Sequence, residues 1–483
     1  MLKITVNGNK TINCKSGDNL FKLLSDAGFT FVGNCGGRGA CNRCLVYDVI
    51  NNEYLRSCTY SVSADMNIRI SENNTNVLTE YEYVEGEEGD SHFTPWHPRP
   101  YGVAVDLGTT TVAMELVDLR SGKTCGSYTF LNPQIAHGSD VISRIQLGST
   151  RDGLETLRDE VVKKLDEGCC QMLYLFAPDY QGMSYDDVCA VTEPVRISRM
   201  IISGNTTMLA IVSGLTLENL GGAPFEVKNP DMITMEGSFF FGHRRYQNTK
   251  VTCLPNLSAF VGADALSGAV SRGLNDATGW ELFVDLGTNG EIILTDGKSG
   301  LGTSCACGPA FEGMFRKQSI NGSNIFDMMN MLKVSGKLSE DGVLADEYIE
   351  KGYIMSGGTK IDMDMVRNFL LAKSAIGAAI ETAMNMAKIE SKDLKKVHIS
   401  GGFGYSLNLS NAIALGMFPE SFMGKTEFVG NTSLAGAHLS LVKDNFISSI
   451  DEFKGKLKPV NLAEVAEFQD IYYRHMNLKA WRA

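Results

Sequence analysis

The sequence predicts a multidomain protein in which a small α+β unit precedes a larger, two-lobed α/β unit, and three observations carry that prediction. Three of the chain's twelve cysteines fall inside the stretch GNCGGRGACNRC at 33–44, between segments that read as a hairpin, a helix and further strands. The composition changes abruptly between 73 and 100, where acidic residues replace aliphatic ones and three prolines close the segment. Beyond it, VAVDLGTTTVAMELVD at 103–118 and LFVDLGTNGEIILTD at 282–296 repeat the core DLGT with apolar strands on both sides, which implies two similar halves. A chain of 483 residues is long enough for about three units of roughly 150 residues each.

In the first unit, 1–72, LKITVNG and KTINC read as a hairpin around Asn7-Gly8, a favoured two-residue turn. In SGDNLFKLLSDAG the apolar residues Leu20, Leu23, Leu24 and Ala27 recur at helical spacing, with Ser16 or Asp18 as the expected cap and Gly28 as the stop. CLVYDV and MNIRI follow as strands on either side of Cys58. The segment 73–100 reads as an acidic, proline-rich linker. From 101 to 483, apolar strands alternate with helical stretches, with lobes expected at 101–275 and 276–430 and a segment 431–483 returning to the first lobe.

Composition narrows the function. A hydrophobic share of 43% and a charged share of 21% are those of an ordinary globular protein, and no apolar run is long enough to span a bilayer. The first ten residues enter an alternating strand pattern without an apolar leader, and the scattered cysteines fit reduced thiols, so a cytoplasmic location is expected. A formal charge of -12 with no Lys/Arg cluster argues against nucleic acid as a partner.

Cys35, Cys41 and Cys44 follow the spacing C-x5-C-x2-C, with Cys58 after a strand. Zinc knuckles come in pairs, and no second pair lies nearby. Three thiolates on a glycine-bearing loop and a fourth from the next segment supply what a 2Fe-2S cluster needs, with Gly36, Gly37 and Gly39 permitting the tight wrap. The stretch resembles plant- and adrenodoxin-type ferredoxins, the x5 spacing being nearer the latter. That resemblance implies a β-grasp ferredoxin-like fold, trimmed between Cys44 and Cys58.

No P-loop is present: the three GK[ST] triplets at Gly122, Gly297 and Gly424 have Val117, Ile292 and Pro419 where a glycine is required. The DLGT turns offer another way to hold phosphates. A strand ending in Asp, then Gly and small hydroxyl residues, makes a tight hairpin whose N–H groups form an anion nest. Gly108 and Thr109 to Thr111 form one such turn, and Gly287, Thr288, Asn289 and Gly290 form the other. Asp106 and Asp285, at the strand ends, suit holding the waters of Mg2+. In KKVHISGGFGYSLNLSNAIALG at 395–416, Gly401, Gly402 and Gly404 let a flat base lie against backbone.

In this order the three motifs resemble phosphate-1, phosphate-2 and adenosine of the actin, sugar kinase and heat-shock chaperone ATPase superfamily. The resemblance spans 101–483 and implies two ribonuclease-H-like lobes closing over ATP. The segments at 202–214 and 434–442 would then be the connecting hinge, with Asn205 either a site residue or a plain loop residue beside an apolar helix. With LPNLSAFVGADALSGAV at 254–270 and CGPAFEGM at 307–314, the chain is similar to the ATP-dependent reductive activators of corrinoid proteins. Asp264 is either a catalytic carboxylate or the N-cap of its helix. Glu291 is either a residue that positions water or an ordinary strand residue, and Glu312 has the same standing.

The resemblance implies one-electron transfer from a 2Fe-2S cluster to cobalt(II), driven by MgATP. The protein substrate would be a corrinoid protein, with an upstream electron donor and no membrane partner; monomer and homodimer are both open. Rival readings are a small-molecule kinase with a regulatory ferredoxin unit, an activator of 2-hydroxyacyl-CoA dehydratases with SCACG at 304–308 as a cluster loop, and a redox-gated binding module.

Overall fold

The computed structural model describes residues 2–6, 10–27, 45–51, 53–69, 100–138, 140–190, 195–223, 225–287, 289–307, 322–355, 360–402 and 407–481. Cys35, Cys41, Cys44, Thr288, Glu312, Gly404 and nearly all of the expected linker lie outside the described residues.

The N-terminal unit grows from a hairpin. β1 (Leu2–Val6) and β2 (Lys10–Cys14) pair antiparallel, and β3 (Leu45–Asp48), β4 (Glu53–Arg56) and β5 (Met66–Arg69) complete a sheet of order β2-β1-β5-β3-β4. Its central pair, β1 and β5, runs parallel, which requires the chain to cross over the sheet. The helix Leu20–Asp26 buries Leu20 and Leu24 against Ile4, Val6, Val46 and Ile68. Its cap is Asn19, whose side chain accepts from Lys22 N at 3.1 Å. The expected cap Asp18 instead accepts from Lys15 N at 2.8 Å, which closes the preceding turn.

The larger unit contains the same sheet twice. In the first copy, β6 (Tyr101–Leu107), β7 (Thr111–Asp118) and β8 (Lys123–Leu131) form an antiparallel meander. β9 (Ile197–Gly204) lies parallel to β6, followed by β11 (Lys250–Cys253) and the edge strand β10 (Ile233–Glu236). In the second, β12 (Glu281–Leu286), β13 (Asn289–Thr295) and β14 (Gly300–Ala306) repeat the meander. A small hairpin, β15 (Tyr353–Ile354) with β16 (Lys360–Ile361), intervenes before β17 (Lys396–Ser400) and β18 (Thr426–Gly430), which extend the sheet parallel to β12. The run Tyr101 to Val105 is buried throughout, as a central strand covered on both faces must be.

Two helices cross between the lobes, Ala263–Ser271 and Thr432–Val442. They approach closely because the contact residues are small: a Cβ built on Gly436 would lie 2.3 Å from Ser267 Oγ, and one on Gly268 would lie 2.6 Å from Thr432 Oγ1. The expected hinge segment at 202–214 is not one of this pair. Its helix, Thr206–Val212, is buried inside the first lobe, because all seven of its residues are core-facing.

The C-terminal segment divides. Leu434, Leu441, Phe446, Ile450 and Phe453 join the first-lobe core, where the whole of 431–483 was expected. The remainder departs from that expectation: β19 (Leu457–Pro459) pairs with β14, and the helix Phe468–His475 packs on Met363–Ala387 of the second lobe. Lys373 Nζ and Ser374 Oγ hold that helix end by donating to His475 O at 2.6 and 2.8 Å. At the other end of the chain, Arg69 donates to Tyr174 O, and its guanidinium carbon lies 4.3 Å from the Tyr174 ring centroid. Among the described residues, no helix is long and apolar enough to cross a membrane.

Leu441 fills the space left by Gly102, where a built Cβ would lie 3.0 Å from its methyl carbons. Leu441→Ala is expected to cost about 2–5 kcal/mol, read as a lower urea midpoint of the ATPase unit with the N-terminal unit unaffected.

Candidate active site

The first turn lies where β6 folds back into β7 and the second where β12 folds back into β13, at corresponding places in the two sheets. Gly108 is required in the first, since a Cβ there would sit 2.5 Å from Thr111 O. In the second, Gly290 leaves room for two sulfurs: a Cβ would lie 3.1 Å from both Cys305 Sγ and Cys307 Sγ. Those buried thiols are 3.9 Å apart beneath the turn and are not presented at the surface as a shared cluster loop would be.

Asp106 and Asp285 are held by hydrogen-bond donors. Asn431 Nδ2 and Ser433 Oγ donate to the two oxygens of Asp106 at 2.8 and 2.7 Å. Ser400 Oγ lies 3.1 Å from Asp285 Oδ2 and 2.6 Å from Thr432 Oγ1. Asp106 is thus held directly by residues 431 and 433, and Asp285 reaches residue 432 through Ser400, all at the start of a connecting helix. Asn431 also caps that helix, accepting from Leu434 N at 2.9 Å. A hydroxyl chain continues from Ser433 to Ser203 at 3.0 Å and from Ser203 to Ser267 at 3.1 Å, reaching the second connecting helix.

Asn205 ties the first turn to the start of a helix. Its carbonyl oxygen caps Thr206–Val212 by accepting from Met208 N at 3.0 Å, and its amide donates to Thr109 Oγ1 at 2.7 Å. Gly262 is the N-cap of the helix that carries Asp264, so the capping alternative for Asp264 does not hold. Asp264 lies in the first turn, and Gly262 packs so closely on Asn205 that a Cβ would stand 2.6 Å from Asn205 Cα.

Glu291 pairs across the hairpin with Asp285, and Ser304 Oγ stands 3.4 Å from its Oε1. Burial raises the pKa of Glu291 well above the ordinary range, with the Asp264 and Asp285 charges adding to the effect. Burial likewise pushes Asp264 up to about 7, with Asp106 contributing. Like charges converging on a desolvated cleft produce such shifts, and an added cation would relieve them. Among the described residues, no group of three or more His, Cys, Asp or Glu is placed to hold a metal by side chains alone.

Gly401 has φ +92, and a Cβ there would meet Leu286 O at 2.4 Å and Asp285 Oδ1 at 2.7 Å, so the strand-to-glycine turn presses directly on the second phosphate turn. Gly402 follows it, exposed. Sequence reasoning missed Asn431, Thr432, Ser433 and Ser400, and it missed Asn132 and Arg144 behind the first turn. One signal was available: G-N-T-T at 204–207 recurs as G-N-T-S at 430–433, each copy following a strand and capping a helix.

Comparison with known proteins gives concordant results. A family model described as the RACo middle region matches residues 101–277, and one described as the C-terminal domain of RACo, the ASKHA domain, matches 279–324 and 314–482. The "Corrinoid activation enzyme RamQ" of Eubacterium limosum is 27% identical over 427 residues, 77% of this chain and 69% of that protein. A "[Co(II) methylated amine-specific corrinoid protein] reductase" of Methanosarcina barkeri is 22% identical over 417 residues, 74% of this chain and 73% of that protein. The solved "Reductive activator for corrinoid,iron-sulfur protein" has a TM-score of 0.69 at 23% identity, covering 99% of both chains, so the two share a fold.

The raised Asp264 pKa has a signed consequence. Between about pH 4 and pH 7 the unfolded chain gives up this proton while the folded chain keeps it, so the ligand-free protein loses stability as pH rises through that window. The fall in unfolding midpoint from pH 5 to pH 7 is expected to shrink in Asp264→Asn. An unchanged pH dependence would show that Asp264 titrates normally.

Proposed function

The chain belongs to the RACo family of reductive activators for corrinoid proteins, and from that premise we propose how its residues serve the activity. The activity is ATP-dependent reductive activation of a corrinoid protein, carried out by an ATPase coupled to electron transfer. The observation that carries the mechanism is the shared anchoring of Asp106 and Asp285 on residues 431 to 433.

MgATP would sit between the two turns, its phosphates against 108–111 and 287–290 and its base against Gly401 and Gly402. Asp106 and Asp285 would hold the waters of Mg2+, whose charge would offset the acidic cleft, and Glu291 with Asp264 would line the path of the attacking water. Because Asp106 bonds Asn431 and Ser433 directly and Asp285 reaches Thr432 through Ser400, movement at either turn is passed to the start of the connecting helix Thr432–Val442. ATP promotes reduction only if the closed form holds a state of the corrinoid protein that the open form does not.

Cys58 lies half-buried on a short 3-10 turn, Ser57–Thr59, and in no disulfide. A thiol in that state is a suitable fourth donor to Cys35, Cys41 and Cys44, and four such soft donors fit a 2Fe-2S cluster. The cluster supplies a one-electron relay when bound. Lifting an electron by 100 mV costs about 2.3 kcal/mol, well within what differential binding of nucleotide supplies. An upstream reductant is required, and the work takes place in the cytoplasm.

The deciding experiment is anaerobic, with reductant and a cobalt(II) corrinoid protein. Cobalt(I) absorbance is expected only with MgATP, and Cys41→Ala and Gly401→Ala are each expected to abolish it, the first with ATP binding intact and the second without. ATP turnover indifferent to the corrinoid protein and to Cys41 would replace this reading with that of a kinase.

A further inference from the structure

Arg144, on the helix Val141–Gly148, has no solvent exposure. Its guanidinium meets uncharged partners throughout: Nη2 donates to Thr109 O at 2.5 Å and Gly138 O at 3.3 Å, Nε to Gly138 O at 3.3 Å, and Nη1 to Gln134 Oε1 at 3.1 Å beside Met208 Sδ. Among the described residues, no carboxylate makes an ion pair with it; Asp140, exposed and turned to Ser143, acts only at longer range. Burial lowers its pKa to about 10, which leaves it charged at neutral pH. A buried cation without a counter-ion is costly, and proteins that keep one generally place an anion within its reach.

The partner at 2.5 Å belongs to the backbone of the first turn. Thr109 O is one of three successive carbonyls of the first turn held from behind. Asn132 Nδ2 donates to Gly108 O and Asn132 N to Thr110 O, both at 2.9 Å. In a trans peptide the C=O and the following N–H point in opposite directions. Drawing the Gly108 and Thr109 carbonyls back into the lobe therefore turns the N–H groups of Thr109 and Thr110 away from it. Gln134, which accepts from Arg144, is itself anchored by donating to Leu157 O at 2.8 Å on the long helix Arg151–Phe176, so the brace is rigid.

We infer that Arg144 is a positioning residue that holds the first turn from behind, so that its N–H groups point toward the phosphate chain of a nucleoside triphosphate, with the buried guanidinium charge acting through the turn's backbone. The inference rests on the cleft reading above and adds to it a basis for preferring a triphosphate. A residue that only fills space would affect every nucleotide alike. One that orients the turn and provides charge acts on the phosphate chain and leaves the base and ribose untouched.

The test measures affinities of the full-length protein for ATP, ADP and adenosine by calorimetry, in the wild type, Arg144→Gln and Arg144→Lys, with thermal unfolding as a folding control. Arg144→Gln is expected to weaken ATP by about tenfold, ADP by less, and adenosine hardly at all. Arg144→Lys, which keeps the charge without the fork, is expected to recover part of the ATP affinity. If Arg144→Gln does not fold, the same ATP-selective pattern in Arg144→Lys, at smaller size, decides the matter. An equal loss for all three ligands, unchanged ATP affinity, or a lysine variant no better than glutamine would overturn the inference while leaving the cleft reading in place. A wild-type protein that binds no ATP would overturn the cleft reading and this inference with it.

Discussion

The constraint on which the rest depends is the anchoring of two carboxylates, one from each lobe, on a single helix start. Asp106 accepts from Asn431 and Ser433, while Asp285 reaches Thr432 through Ser400. These residues are buried or nearly so, and a buried hydrogen bond to a charged group is worth more than one in water and costs more to break. The two DLGT turns are therefore linked through one helix start. Each is tied to the helix that also joins the lobes, and the small residues Gly268, Thr432, Ser267 and Gly436 let that helix and its neighbour cross at close range.

Around this joint the protein separates rigid parts from polar ones. Strand β6 is apolar along most of its length up to Asp106, and β12 is apolar from Leu282 to Val284 before Asp285. In open α/β sheets the ends of parallel strands open a crevice that the sheet itself cannot fill. Burial raises the pKa of Asp264 and Glu291, and the charge of Asp106 on the first and of Asp264 and Asp285 on the second adds to it. An added cation would relieve that repulsion.

The N-terminal unit meets the rest of the described chain through Arg69, buried where it leaves the last strand of its sheet and seated on Tyr174. Tyr174 lies near the end of the helix Arg151–Phe176, and the other end of that helix carries Leu157, which receives the brace behind the first phosphate turn. One element thus touches both the unit expected to carry electrons and the structure behind the nucleotide cleft.

Much of this was legible in sequence because it is local. The DLGT turns are defined by residues a few positions apart, the helix at 20–26 by its leucine spacing, and the absence of a P-loop by three misplaced residues. The C-x5-C-x2-C spacing marks three candidate ligands without any fold. What sequence did not disclose depends on pairings between distant positions. Asn431 lies 325 residues from Asp106, and nothing near either residue marks the other. Arg144 reads as one more charged residue on an amphipathic helix until folding places it behind Thr109, 35 positions away. One member of the connecting pair, 202–214, was misassigned for the same reason, since several helices are apolar all round and only packing decides which two cross. Sequence by itself determined the repeat, the two DLGT turns and the cysteine pattern, because hairpin geometry and residue spacing are short-range properties. Only the tertiary structure decided which side chains hold the aspartates and which cation stands behind the turn, because those contacts arise when separately formed lobes bury polar groups that must then find partners.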